Sequence, residues 1–444
     1  MHDAVPGPGW LAPLVWRAYA RDSERTFRRA FDHYGPAFAL WVPGIGPTTL
    51  LCDPDLIGGV LSAGGLRPFK PRPTAVVWGP RSIFALHGPD HHRVRKLMLP
   101  VLGGACVDRH REDAIAIAER MVDGLPTGTP FELLPHARDA LLRAMLRAMF
   151  GLTDQRMDRW QAPVRDLLEI GGSQQASARF VLRGLGATRV WPAFHAARLR
   201  CGRLIHDEIV RRHRREEDGQ DILGQLMRAR TADGAALTDA ALHDQAISVL
   251  VAGFIAPALG LAWAVERLVR HPAALDRLTA EAVAGTGQDY ATAVACEALR
   301  QRPPTSLAPL GVTGHPVTVG GYRIRPGTSL LVPLMALHHH PGHFSDPYVF
   351  RPERFLRTRP APFSWLPFGI GPKICAGRTL AILQISTFLQ VIARRLILSA
   401  AGPPEEGVHR VLVSNYPSHG CRITAAGRPT GDSTRRPTCQ KEPT

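Results

Sequence analysis

Between Gln245 and Val265 the chain runs for 21 residues without a charged side chain: QAISVLVAGFIAPALGLAWAV. As a helix this stretch would be about 30 Å long, the thickness of a bilayer's hydrocarbon core. It can be housed as a membrane span or as the central helix of a core large enough to wrap it. Its makeup favours the core. It is rich in alanine, it holds Gly253, Pro257 and Gly260, and it has no companion segment of the same kind. Apolar residues recur at helical spacing on both sides of it, almost continuously from about Gly88 to Arg302. With 444 residues, 45% of them hydrophobic, the chain has the means to bury such a helix. We expect no membrane span.

Strand signals lie outside that helical stretch. FALWVPGIGPTTLLCDP reads as two short strands around a Pro-Gly turn, and VTVGGYRIRPGTSLLVPL (317–334) reads the same way. The expectation is a mainly α chain with a minor sheet contributed from both ends. That interleaving, with no long linker in the middle, predicts one domain over 1–425. The first nine residues and a tail over 426–444 are rich in Pro, Gly, Thr and charge and read as loose ends.

A net charge of +16 raises the question of nucleic acid. Only four of the 54 basic residues are lysines (70, 96, 373 and 441), an arginine excess more like a genome's base composition than a choice of ligand. The densest run, RRHRREED from Arg211, passes straight into acids and reads as a solvated helix face. No aromatics are interleaved for base stacking. An acidic protein partner fits the surplus better. The seven cysteines contain no Cys-x-x-Cys pair, so neither a zinc site nor a disulfide framework is indicated. The start of the chain has no basic segment followed by an apolar block, so no signal peptide is read there. We expect a reducing cytoplasm.

One cysteine stands apart. In FGIGPKICAGRTLA, Cys375 follows Gly369, Gly371 and Pro372, which suit a tight turn, and precedes Gly377 and an amphipathic helix from Arg378. Backbone N–H groups at a helix start favour thiolate over thiol. A glycine-made gap beside it would let something flat lie close. These properties suit ligation of a metal that carries its own planar ligand.

Phe368, Gly371, Cys375 and Gly377 form Phe-x-x-Gly-x-x-x-Cys-x-Gly, which resembles the haem-binding loop of the cytochrome P-450 superfamily. Further stretches resemble that family in the same order. EALR carries Glu297 and Arg300, and FRPERF carries Arg354; the resemblance implies that the three interlock beneath the haem loop. GPDHHRVR carries Gly88, His91 and Arg95 one turn apart, and implies that His91 and Arg95 donate to haem carboxylates. The likeness covers residues 8 to 425. It implies haem b with an axial thiolate from Cys375, a monomeric monooxygenase, and electrons from ferredoxin and ferredoxin reductase. Two positions depart from the pattern. Lys373 stands where arginine or histidine is usual, so His91, Arg95 and Lys373 are left to hold the carboxylates. Gly311 stands where many members carry a further arginine.

The oxygen-activating groove departs most. AGFIAP, Ala252 to Pro257, stands where the family usually has Ala-Gly-x-acid-Thr-Thr. Ile255 and Ala256 carry no proton, and Pro257 lacks the N–H that would satisfy the Gly253 carbonyl and should kink the helix. Loops about 66–87, 165–195, 305–310 and 412–418, where family members contact substrate, are mostly apolar. They suggest a terpenoid, polyketide or fatty acyl substrate from secondary metabolism. The alternative is a haem-thiolate protein that is peroxide-driven, an isomerase or dehydratase, or an inactive haem binder. Gly369-Ile370-Gly371 is not a dinucleotide loop, since no glycine follows at 374. HHHPGH (338–343) reads as a solvated Pro/Gly loop rather than a metal site.

Overall fold

The computed structural model describes residues 3–9, 14–15, 18–19, 22–42, 45–68, 78–171, 191–216, 219–411 and 413–428. Its helices in chain order are α1 Ser23–Tyr34, α2 Pro54–Ser62, α3 Gly88–Val101, α4 Ala105–Asp108, α5 Arg111–Asp123, α6 Leu133–Phe150 and α7 Asp154–Gly171. They continue as α8 Pro192–Arg215, α9 Ile222–Arg228, α10 Asp239–Val269, α11 Pro272–Ala284, α12 Asp289–Gln301, α13 Leu334–His338 and α14 Arg378–Arg395.

The uncharged stretch is the middle of α10, and its residues from Ala258 to Leu268 are buried without interruption. Around it pack α6, α8, α12 and α14. Small residues permit the close approach. A Cβ on Gly253 would lie 2.5 Å from the Met145 methyl of α6, and one on Gly260 would lie 2.8 Å from Ile385 of α14. Trp263 is fully buried and donates its Nε1–H to the Asn415 carbonyl at 3.0 Å. Thr238 caps the helix by accepting from the Ala241 N–H. This is the core helix of a helical protein.

A five-stranded mixed sheet holds Ala37–Val42 (β1), Gly46–Leu51 (β2), Leu66–Arg67 (β3), Leu307–Thr313 (β4) and Ser329–Pro333 (β5), in the order β1-β2-β5-β4-β3. Only the β2/β5 pair is parallel. The segment 317–334 therefore forms a hairpin, Val317–Val319 with Tyr322–Ile324, and then β5, rather than two strands around one turn. The termini are more ordered than their composition suggests. Asp3 and Ala4 pair with Tyr322 and Arg323, and the Ala39 N–H donates to the Pro6 carbonyl. The last strand runs to Gly427, and the Arg428 N–H bonds the Arg395 carbonyl, so ordered chain passes 425. Residues 429–444 of the expected tail lie outside the described residues.

The basic run at 211 is not simply a solvated face. Arg212 is 3% exposed, and its guanidinium bonds Glu208, both oxygens of Asp221 and the Phe150 carbonyl. Burial alone would raise the Glu208 pKa, but hydrogen bonds from Arg211, Arg212 and Arg156 outweigh it and hold it at about 2, against an ordinary 4.5. The folded pKa is depressed, so this contribution is present above about pH 4.5 and fades as pH falls towards 2. Glu208→Gln should cost about 2 kcal/mol at pH 7. In urea titrations, the gap between variant and wild type should close below pH 4.5; a gap independent of pH would contradict the assignment.

Candidate haem site

The loop before α14 is built by two glycines. Gly369 (φ 72°) and Gly371 (φ 70°) occupy the left-handed region that side chains disfavour, and a short 3₁₀ turn covers Gly371–Lys373. The chain then folds back so that the Cys375 N–H donates to the Phe368 carbonyl at 2.9 Å. Gly377 is the N-cap of α14, and a Cβ there would meet open space.

Cys375 is exposed, yet burial by the surrounding protein is the main force pushing its thiol pKa up. The Gly377 N–H, Arg95 and Arg378 pull the other way, as expected at a helix start, but burial wins in the chain by itself. A coordinated metal deprotonates such a thiol outright.

Positive side chains gather near Cys375, with Arg95 close enough to act on the thiol, His91 and Lys373. His91 is 2% exposed, and its Nε2 has no partner. Burial, then Lys373 and Arg95, lower its pKa to about 4, so it is a neutral N–H donor at pH 7. Arg95 is half-buried one turn on. Lys373 is lowered to about 8 by burial and by Arg95. A buried orphan donor beside two crowded cations fits an anionic group such as a haem carboxylate. Lys373 differs from expectation, however. Its ammonium donates to the carbonyls of Ile83 at 2.8 Å and Leu86 at 2.7 Å, so two of its three N–H bonds are already committed.

Beneath the loop, Glu297 and Arg300 are both fully buried. Arg300 donates to the two Glu297 oxygens at 2.7 and 2.9 Å and to the His338 carbonyl at 2.8 Å. Arg354 Nε lies 3.5 Å from Glu297, and its Nη2 donates to the Asp346 carbonyl. His338 completes the network: Nδ1 donates to the Arg300 carbonyl, and Nε2 accepts the Leu366 N–H at 2.9 Å, two residues before Phe368. The HHHPGH stretch is exposed only from His340 to Gly342. His338 is fully buried, His339 is 5% exposed and bonded to Glu24, and no metal-holding cluster occurs among the described residues. Sequence offered no sign of this role, because a histidine beside Pro-Gly looks like a turn residue.

The family model described as cytochrome P450 matches residues 6–412. The chain belongs to the cytochrome P-450 family. A relative named cytochrome P-450 137, from Mycobacterium tuberculosis, is 34% identical over 437 residues, covering 95% of this chain and 91% of the relative. One named cytochrome P-450 135B1, from Mycobacterium bovis, is 31% identical over 98% of this chain and 94% of its own length. The crystal structure of the cytochrome P-450DA heme domain superposes with a TM-score of 0.82 at 20% identity, over 96% of this chain and 98% of that one. As a P-450, the chain is a haem-thiolate monooxygenase, an oxidoreductase whose haem takes a cysteine thiolate ligand.

The departures from the P-450 pattern have physical settings. Gly311 sits at a β-bulge in β4 with φ 152°, and a Cβ there would lie 2.8 Å from the Arg67 carbonyl oxygen. No arginine fits while β3 pairs at that point. In α10, Ile255 packs against two of the hydrophobic clusters, Phe254 is buried between α10 and α6, and α10 continues as one helix through Pro257 with no break. Sequence also missed two residues just upstream. Gln245 accepts from the Ile83 N–H at 2.9 Å and donates to the Arg81 carbonyl at 2.5 Å, while Asp244 accepts from the Arg81 N–H at 3.0 Å.

Replacing Glu297 by leucine leaves Arg300 buried without a counter-charge, at a cost of about 3–5 kcal/mol. Because His338 hands this network on to the loop at Leu366, Glu297→Leu should lower the haem-to-protein ratio severely, whereas Arg354→Lys should lower it only mildly. Equal losses would show that Arg354 carries as much of the support as the Glu297–Arg300 pair.

Proposed function

We propose that this P-450 hydroxylates a small apolar molecule of terpenoid, polyketide or fatty acyl type, with a proton route the protein does not itself complete. Bound haem supplies dioxygen activation, and electron density from the Cys375 thiolate favours O–O cleavage. Phe368, Gly371, Cys375 and Gly377 form its loop; His91 and Arg95 hold its carboxylates; Glu297, Arg300 and Arg354 brace the loop from below. Electrons come from a ferredoxin and its reductase, attracted by the chain's net charge of +16 and by exposed cations such as Arg93, Lys96 and Arg378 on the elements around Cys375. The protein acts as a cytoplasmic monomer. Apolar side chains near the haem loop, including Ile83, Phe84 and Leu86, support a hydrophobic substrate. Parts of the other expected substrate loops, 69–77, 172–190 and 412, lie outside the described residues.

The observation that carries the proposal is the groove at 253–257. Neither Ile255 nor Ala256 can donate or accept a proton, and Pro257 leaves the Gly253 carbonyl without its helical N–H. That carbonyl is a ready acceptor for water or for a hydroxyl on the substrate. Proton delivery then depends on which molecule is bound. Surrogates lacking a hydroxyl should couple poorly, with hydrogen peroxide partly restoring turnover. Ile255→Asp with Ala256→Thr should raise product per reducing equivalent on those surrogates several-fold. Tight coupling of wild type on a plain hydrocarbon, with no gain in the double variant, would refute the proposal. A chain that oxidises nothing with either oxidant would favour an isomerase, dehydratase or inactive haem binder.

A further inference from the structure

Residues 79–86 form a strap of turns that leads into α3, the helix that carries His91 and Arg95. The strap has no ladder partner, yet its backbone is tied on two sides. From α10, the Gln245 amide bonds both the Arg81 carbonyl and the Ile83 N–H, and Asp244 takes the Arg81 N–H. From the haem loop, Lys373 bonds the Ile83 and Leu86 carbonyls. Ile83 is thus held through its N–H by α10 and through its carbonyl by the haem loop. Ser82, fully buried, closes the turn inside the strap by accepting the Ala85 and Leu86 N–H groups. Gln245 is itself fully buried, so the α10 side of the arrangement is rigid.

The strap presents apolar groups. Ile83 belongs to the same core cluster as Leu250 and Phe254 of α10, and Leu86 packs against that cluster together with Ile255 and Ala376. Phe84 is 40% exposed and stacks on Trp78 with ring centroids 4.6 Å apart. The strap therefore shares one apolar cluster with the groove residues of α10 and with Ala376, next to Cys375.

We propose that Lys373 is a positioning residue that latches the strap 79–86 to the haem loop, and that this latch, rather than anchorage of a haem carboxylate, is what its lysine head serves. An ammonium carries three N–H donors and no acceptor, which suits it to hold two carbonyls at once. A latch made from one flexible side chain can release without disturbing the Gln245 side. Release frees Ile83 and Phe84 to move and uncovers the α10 side of their apolar cluster while the thiolate loop stays in place.

The test is hydrogen exchange over 81–86 in the haem-loaded protein, with the haem-to-protein ratio measured on the same samples. Lys373→Met, which keeps the stem and removes all donors, should raise exchange in this segment about a hundredfold or more, the loss of two hydrogen bonds to a charged group. Exchange in α14 and the haem ratio should match wild type. Lys373→Arg, which retains donors able to reach the carbonyls, should restore protection to within about twofold of wild type. Should the Met chain fail to accumulate, Lys373→Gln, whose shorter neutral head reaches at most one carbonyl, gives the same comparison at smaller amplitude. Unchanged exchange over 81–86 in the neutral variants overturns the proposal. So does exchange that rises only in step with haem loss and recovers only with haem in Lys373→Arg, since that pattern marks a carboxylate anchor.

Discussion

A helix with no charge over six turns is stable in a folded chain only if protein covers it on every side. That requirement organises this molecule. The helices α6, α8, α12 and α14 pack around α10, and the glycines at 253 and 260 let Met145 and Ile385 come within contact of its backbone. Burial is favourable at ~25 cal/mol per Å² of apolar surface, so this cover contributes substantially to the stability of the fold. Within the groove, Ile255 is partly buried and packs against two of the apolar clusters.

Where charge is buried, it is paired according to its task. Glu297 with Arg300, and Glu208 with Arg212, are closed networks in which each oxygen and guanidinium edge finds a partner. Around Cys375 the pattern is open. His91 keeps an unpartnered Nε2, and the charges that act on it are the cations Lys373 and Arg95. An unpartnered buried His91 Nε2 with two cations acting on it suits an anion brought by the haem. Two of the Lys373 N–H bonds point elsewhere, to the strap, which separates it from the other two.

Much of this could be read from residues alone, and the reasons are specific. The turn glycines, Cys375 and the helix start after it are local features, so FGIGPKICAGR is legible as a site. Glu297 and Arg300 share a helix face by spacing, but their burial depends on a loop 40 residues later, and sequence allowed a surface pair as readily. His338 and His339 were misread for the same reason: nothing local tells a histidine bonded to an arginine carbonyl from one in solvent. The clamp by Asp244 and Gln245 spans more than 160 positions and depends on how an irregular strap is laid against α10. Lys373 was legible as a charge near the haem loop, yet its partners are backbone carbonyls, which no pattern of side chains announces. Order at residues 3–7 and 426–428 was hidden because pairing with a distant strand overrides a Pro/Gly-rich composition.

The account's central claim is that Cys375, set by the Gly369–Gly371 turn at the start of α14, is the haem ligand. The most direct measurement is the spectrum of the reduced protein with carbon monoxide. Wild type should give the long-wavelength Soret band of thiolate ligation, and Cys375→His should abolish that band while haem remains bound. A wild-type spectrum showing only a histidine-type band, or the thiolate band surviving in Cys375→His, would contradict it.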